Sequence, residues 1–285
     1  MRYYVLLLLF IFSLLSRFYL LNTVPPLFDA QIQILRLSSA VLNILSIFLL
    51  YIYVKKTLNN TKIALLSAWV MATLPWVLEQ GRIYSYASNS LFFLLLFLLF
   101  WISLNNLLAR FILLISFFIT LYFSYPNLWI FKTMPVLDHP IIFINNLFNL
   151  LSPDNLFFRN FTFWWGGVKE VGVMYILLFP FLIFGLLEII NHRRYKLLYP
   201  CLFILFLSVV SPSFPESREF YFITPFLALT VAFGIYKLFL KGIQPLFILI
   251  FTALITYEII QFFHYYYIHY PQDIISNKSN IKDPF

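Results

Sequence analysis

The residues equipped for chemistry sit in short polar stretches between long apolar blocks. One stretch carries Asp29 and Arg36, beyond Pro25-Pro26. A second runs from Pro75 and Trp76 through Glu79, Gln80, Gly81 and Arg82 to Tyr84 and Ser85. A third, Tyr125 to Glu170, holds Lys132, Asp138, His139, Asp154, Arg159, Lys169 and Glu170, with Trp129, Trp164, Trp165 and the pair Gly166-Gly167. The fourth holds Glu216, Arg218 and Glu219. A guanidinium fork matches the oxygens of a phosphate, and an ionised carboxylate can accept a proton. Arg36, Arg82 and Arg218 on separate stretches at one membrane face would suit a phosphate, and a phosphate there with an apolar tail would be a polyprenyl-phosphate lipid. Each arginine also has a plainer reading as a headgroup anchor or the partner of a nearby acid. Glu79 and Arg82, three apart, are spaced to pair. Glu258 lies inside an apolar block, where an acid is costly and turns to protein or a water-filled cavity.

These stretches are positioned by a chain built for a membrane. Of its 285 residues, 62% are hydrophobic and 11% charged, and mean hydropathy is +0.89. A soluble domain carries roughly 25% charged residues. The formal net charge is +8, but the basic residues fall at the ends of apolar blocks, which points to membrane topology rather than nucleic acid. Cys201 stands alone, so there is neither a disulfide framework nor a metal-binding cysteine spacing. No P-loop, nucleophile elbow, His-Glu-x-x-His or EF-hand loop is present. His139, His264 and His269 read as interfacial residues rather than ligands.

Blocks near the length of a bilayer core predict nine helical spans. They are Tyr3–Leu21, Leu35–Val54, Ile63–Leu78, Ala87–Leu104, Phe111–Tyr125, Val171–Ile190, Leu197–Val210, Phe220–Leu240 and Leu246–Phe263. The first resembles a signal peptide without a small-residue cleavage site, and is read as a retained span. Residues 1–263 then form one transmembrane domain with a long loop at 126–170, and 264–285 a short tail. Lys55, Lys56, Lys62, Arg110, Arg193, Arg194, Lys196, Lys237 and Lys241 gather at one side. That side is expected to be cytoplasmic, with the N-terminus inside and the long loop and C-terminus outside. Within the loop, Pro140–Leu151 places Asn145, Asn146 and Asn149 on one helical face among apolar residues, the pattern of a helix lying in the interface.

The order of these pieces resembles the multispan GT-C glycosyltransferases, in particular the bacterial relatives of dolichyl-phosphate-mannose protein mannosyltransferases and of the aminoarabinose transferase. The resemblance is carried by a first span ending in Arg17-Phe18-Tyr19 and leading to Pro25-Pro26, then by Leu35-Arg36-Leu37-Ser38-Ser39. Pro75-Trp76 with Gln80-Gly81-Arg82 follow, then Ser152-Pro153-Asp154-Asn155, Glu170 to Tyr175, and Arg218 to Pro225. It implies an all-α polytopic membrane protein that transfers a sugar, with inversion, from a polyprenyl-phosphate-linked donor to a lipid, glycan or protein acceptor on the extracytoplasmic side. It implies Asp29 as general base, and Arg36, Glu79, Arg82, Tyr84, Asp154, Lys169, Glu170 and Arg218 around the substrate. Membrane lipid and the lipid-linked donor are the expected partners, and nucleic acid is not. No cofactor is certain, and a divalent metal ion stays open. The family's first outer loop is longer and carries an Asp-Glu pair. Here it runs from about Asn22 to Ile34 with Asp29 as its sole acid, so either Asp29 serves alone or the chain is a degenerate relative. A transporter or flippase-like protein, or a non-catalytic subunit binding a lipid-linked substrate, are the alternatives.

Overall fold

The computed structural model describes residues 2–21, 23–24, 31–83, 86–106, 108–113, 115, 140–158, 168, 171–192, 197, 199–210, 218–240, 242 and 244–272. Side chains at 2–3, 31–35, 86–90, 207–208, 210, 218–220 and 240 lie outside that description. Every regular element among the described residues is helical. They are α1 (Arg2–Phe18), α2 (Gln31–Leu58), α3 (Thr61–Thr73), α4 (Pro75–Gln80), α5 (Tyr86–Ser103), α6 (Pro140–Leu151), α7 (Phe179–Asn191), α8 (Tyr199–Val210), α9 (Thr224–Leu240) and α10 (Pro245–His264). Tighter and wider turns flank them: 3₁₀ turns at Ile176–Leu178 and Arg218–Ile223, and π turns at Asp154–Phe158 and Tyr265–His269.

Three helices are long and apolar enough to cross a membrane: Arg36–Leu58, Tyr221–Phe239 and Pro245–Gln272. Shorter apolar helices cover Tyr4–Phe18, Thr61–Thr73, Leu91–Ser103 and Ile176–Asn191. The expected span at Leu197–Val210 is the 12-residue α8, and most of the one at 111–125 lies outside the described residues. The expected span Ile63–Leu78 is interrupted. Pro75 opens α4 at its first position and Leu74 before it is extended, with ψ 131°, since a residue preceding proline is pushed out of the helical region. The last helix does not stop at Phe263, as the sequence suggests, but continues through the π turn to Gln272.

Local signals set the turns. Leu20, at φ 52°, ends the first helix, and Asn59, at φ 50°, reverses the chain after α2. Asn60 then caps α3, its side-chain oxygen accepting from the N–H groups of Lys62 (3.0 Å) and Ile63 (3.2 Å). The bundle is centred on α9, which packs against α3 and α7, while α2 packs against α3 and α5. Of the Tyr221–Phe239 span 78% is buried, against 6% of Pro245–Gln272, so α9 is the axis and α10 the periphery. α6 turns Asn146 inward, where its amide donates to the Val209 carbonyl at 3.2 Å. Ile141, Ile144 and Phe148 point outward from it.

Candidate functional site

Arginines converge at one end of the bundle, where α1 and α3 finish and where α2 and α9 begin. Arg82, just beyond α4, is fully buried. Its Nη1 donates to the carbonyl oxygens of Ser16 (2.9 Å) and Arg17 (3.1 Å), and its Nη2 to that of Val24 (3.1 Å). The first two belong to the last turn of α1, whose carbonyls have no partner within the helix. The guanidinium also lies over the rings of Tyr266 and Tyr267, at 5.3 and 5.1 Å. Those rings are presented by the π turn that prolongs α10.

Arg17 stands beneath it, with no exposed surface. Its Nε donates to Asn43 Oδ1 (3.1 Å), and its Nη1 to Ser16 Oγ (2.7 Å) and the Ala72 carbonyl (3.0 Å). Asn43 in turn donates to the Val77 carbonyl (3.2 Å) and the Tyr221 hydroxyl (2.9 Å), and Tyr221 meets Trp76 edge to face at 5.3 Å. The Asn43 amide fits because residue 81 is glycine: a Cβ there would stand 2.7 Å from Asn43 Cγ. Arg36 at the start of the second span is buried too, donating from Nη1 to the Leu21 carbonyl at 3.0 Å. Like-charge repulsion links Arg82 to both Arg17 and Arg36.

The long loop reaches the same place. Glu79, fully buried, accepts the Val168 backbone N–H on Oε1 at 2.9 Å. The strand-like run after it is tied to the π turn through Val173 N–H to the Asn155 carbonyl (3.3 Å) and Met174 N–H to that of Leu156 (2.9 Å). Gly172 permits this contact, because a Cβ would meet the Phe157 nitrogen at 2.4 Å. Tyr175, at its end, is buried within electrostatic reach of Arg17, Glu79 and Glu258.

Among the residues singled out from the sequence, Arg36, Glu79 and Arg82 are thus brought together and buried. Arg82 spends its terminal nitrogens on carbonyls and Glu79 turns to the loop backbone, so the simple pairing suggested by their spacing is not their main use. Asp154 is exposed on the π turn. Asp29, Tyr84, Lys169 and Glu170 lie outside the described residues, as does the side chain of Arg218, whose backbone opens the 3₁₀ turn leading to Tyr221. Arg17, Asn43, Tyr175 and Tyr266 were not singled out by their chemistry. Arg17 and Asn43 were discernible only as polar residues inside apolar blocks. Among the described residues no group of three or more His, Cys, Asp or Glu side chains is placed to hold a metal ion. No protein-family model matches the chain, and neither a curated protein nor a solved structure matches it.

Proposed function

We propose that the chain is a membrane glycosyltransferase of the GT-C type. It takes a sugar from a polyprenyl-phosphate-linked donor and passes it to a lipid, glycan or protein acceptor on the extracytoplasmic side. The observation that supports this reading is convergence: four sequence-distant stretches, represented by Arg36, Glu79 with Arg82, Val168 and Tyr221, meet at one end of the bundle. In the proposed orientation the arginine end faces outward. The opposite end, with Lys55, Lys56, Lys62 and Lys237, faces the cytoplasm, as the basic clusters favour. α6, with Ile141, Ile144 and Phe148 outward and Asn146 inward, would lie along the outer boundary.

In this reading the arginines counter charge on the departing phosphate, and Asp29 takes the acceptor proton. The test is direct. Purified protein in lipid nanodiscs is given candidate polyprenyl-phosphate sugars, and its products are followed by mass spectrometry. Asp29→Asn keeps the shape and removes the base, and is expected to slow turnover by roughly 10²–10⁴-fold. Full turnover in that variant would exclude Asp29 as base. An unmodified protein that binds the donors but yields no product would favour a non-catalytic lipid-binding subunit.

A further inference from the structure

Hydrogen-bond donors outnumber acceptors in the buried arginine cluster. Arg17 Nη2, Arg36 Nε, Arg82 Nε and the Tyr175 hydroxyl are each buried without a hydrogen-bond partner. Arg17 and Tyr175 are 0% and 5% exposed, and each lies within electrostatic reach of the other. Buried polar groups are otherwise nearly always satisfied, and each exception calls for an explanation. These exceptions share a sign. Three bear a positive charge, and the fourth, a phenol, donates readily to an oxyanion. A chance scatter of packing defects would strand carbonyls and donors alike.

We infer that Arg17 and Tyr175, with Arg36 and Arg82 beside them, form a buried site for a phosphate-type oxyanion. The inference rests on the proposed handling of a lipid-linked phosphate, but it names a different pair of residues from those the sequence singled out. Arg17 is suited to the task because Asn43, Ser16 and the Ala72 carbonyl hold its Nε and Nη1. The guanidinium is fixed in orientation with Nη2 left over, so binding loses little side-chain freedom. Arg36 and Arg82 are likewise tied down through other nitrogens.

The full chain in nanodiscs would be titrated with inorganic phosphate, farnesyl phosphate and farnesol, following binding calorimetrically and the unfolding midpoint by fluorescence. Farnesyl phosphate is expected to bind and farnesol not to raise the midpoint. Tyr175→Phe deletes one unsatisfied hydroxyl and nothing the fold uses. It should leave the midpoint of the unliganded protein unchanged or higher while weakening phosphate binding by about tenfold or more. Arg17→Lys, which keeps the charge and loses the fork, should weaken it at least as much. Saturation by inorganic phosphate alone, with the same dependence on Tyr175, would keep the site and assign it to the free anion. Equal affinity in the parent and Tyr175→Phe would overturn the inference, as would farnesol binding as well as farnesyl phosphate. Binding that depends on Tyr175 in a protein without sugar transfer would retire the transferase reading and leave the site standing.

Discussion

The closest helix crossing in the bundle makes the most exacting test of its packing. Gly185 in α7 and Gly234 in α9 face each other so closely that a Cβ on Gly185 would stand 2.0 Å from the Thr230 carbonyl oxygen. One on Gly234 would stand 2.1 Å from that of Phe181. In both cases the obstacle is backbone, which cannot swing aside as a side chain can. To restore ordinary contact the helices must part by roughly 1.4 Å, and a gap of only 0.5–1 Å already forfeits a quarter to a half of each facing dispersion contact. Overpacking costs about 1–3 kcal/mol, and this displacement belongs at the upper end of that range. Replacing glycine by alanine within a helix returns about 1 kcal/mol. The expected net loss for Gly185→Ala or Gly234→Ala is therefore about 2 kcal/mol, close to thirtyfold in the folded-to-unfolded ratio.

Reversible unfolding in mixed detergent–SDS micelles, read by tryptophan fluorescence, measures this loss. The double variant adds a second criterion. Once α7 and α9 have been pushed apart by the first methyl, the second enters a gap already open, so the pair should cost less than the sum of the singles. Singles at or above parental stability, or strict additivity at full cost, would show that the helices do not cross at these glycines.

Two further outcomes are expected. Arg82→Gln should destabilise the protein by about 3–5 kcal/mol, the range for removing a buried charged hydrogen-bonding partner, and Arg82→Lys should recover little, because an ammonium cannot fork between the carbonyls of Ser16, Arg17 and Val24; the same SDS titration checks both. For topology, Asp154→Cys should react with an impermeant thiol reagent in intact cells and Lys56→Cys should not, each in a Cys201→Ser background; the reverse pattern would invert the proposed orientation.

Composition and apolar block length made the helical, membrane-embedded character legible, and Asn146 with the apolar residues around it made α6 legible as an amphipathic helix. The end of α10 was not. His264 to Tyr270 reads locally as a polar tail, yet it stays helical where Tyr266 and Tyr267 pack over Arg82, a residue from a stretch far away in the chain. Glycines at 185 and 234 are one per block, a weak signal alone, and only the crossing makes them a pair. Arg82 was visible as a charge at a span end, but its partners are backbone carbonyls. A carbonyl is present at every position, so such a bond leaves no mark in the sequence. For the same reason Arg17 passed for the border of the first span, although it is the more deeply committed of the two.

Positive charge is used differently at the two ends of the bundle, and the chemistry of the side chains accounts for the difference. Lys55 and Lys56 are exposed at the end of α2, where a strongly hydrated ammonium on a flexible stem belongs. Lys237 shares Glu188 (3.9 Å) with His192 (3.3 Å) there. The other end buries Arg17, Arg36 and Arg82 instead, because a weakly hydrated guanidinium with five donors can serve several carbonyls at once. Part of the burial cost is offset by the helices themselves. The C-terminal ends of α1 and α3, whose carbonyls accept from Arg82 and Arg17, each carry the equivalent of about −0.5 charge. Among the described residues Glu79 is the one fully buried carboxylate, and Glu258 is not coupled to these arginines. Set against the three guanidinium charges, one carboxylate and two helix ends leave an excess of about one positive charge. A dry site does not hold such an excess comfortably. A bound phosphate would neutralise it while accepting from the donors that the carbonyls leave unused, so charge balance and hydrogen bonding call for the same ligand.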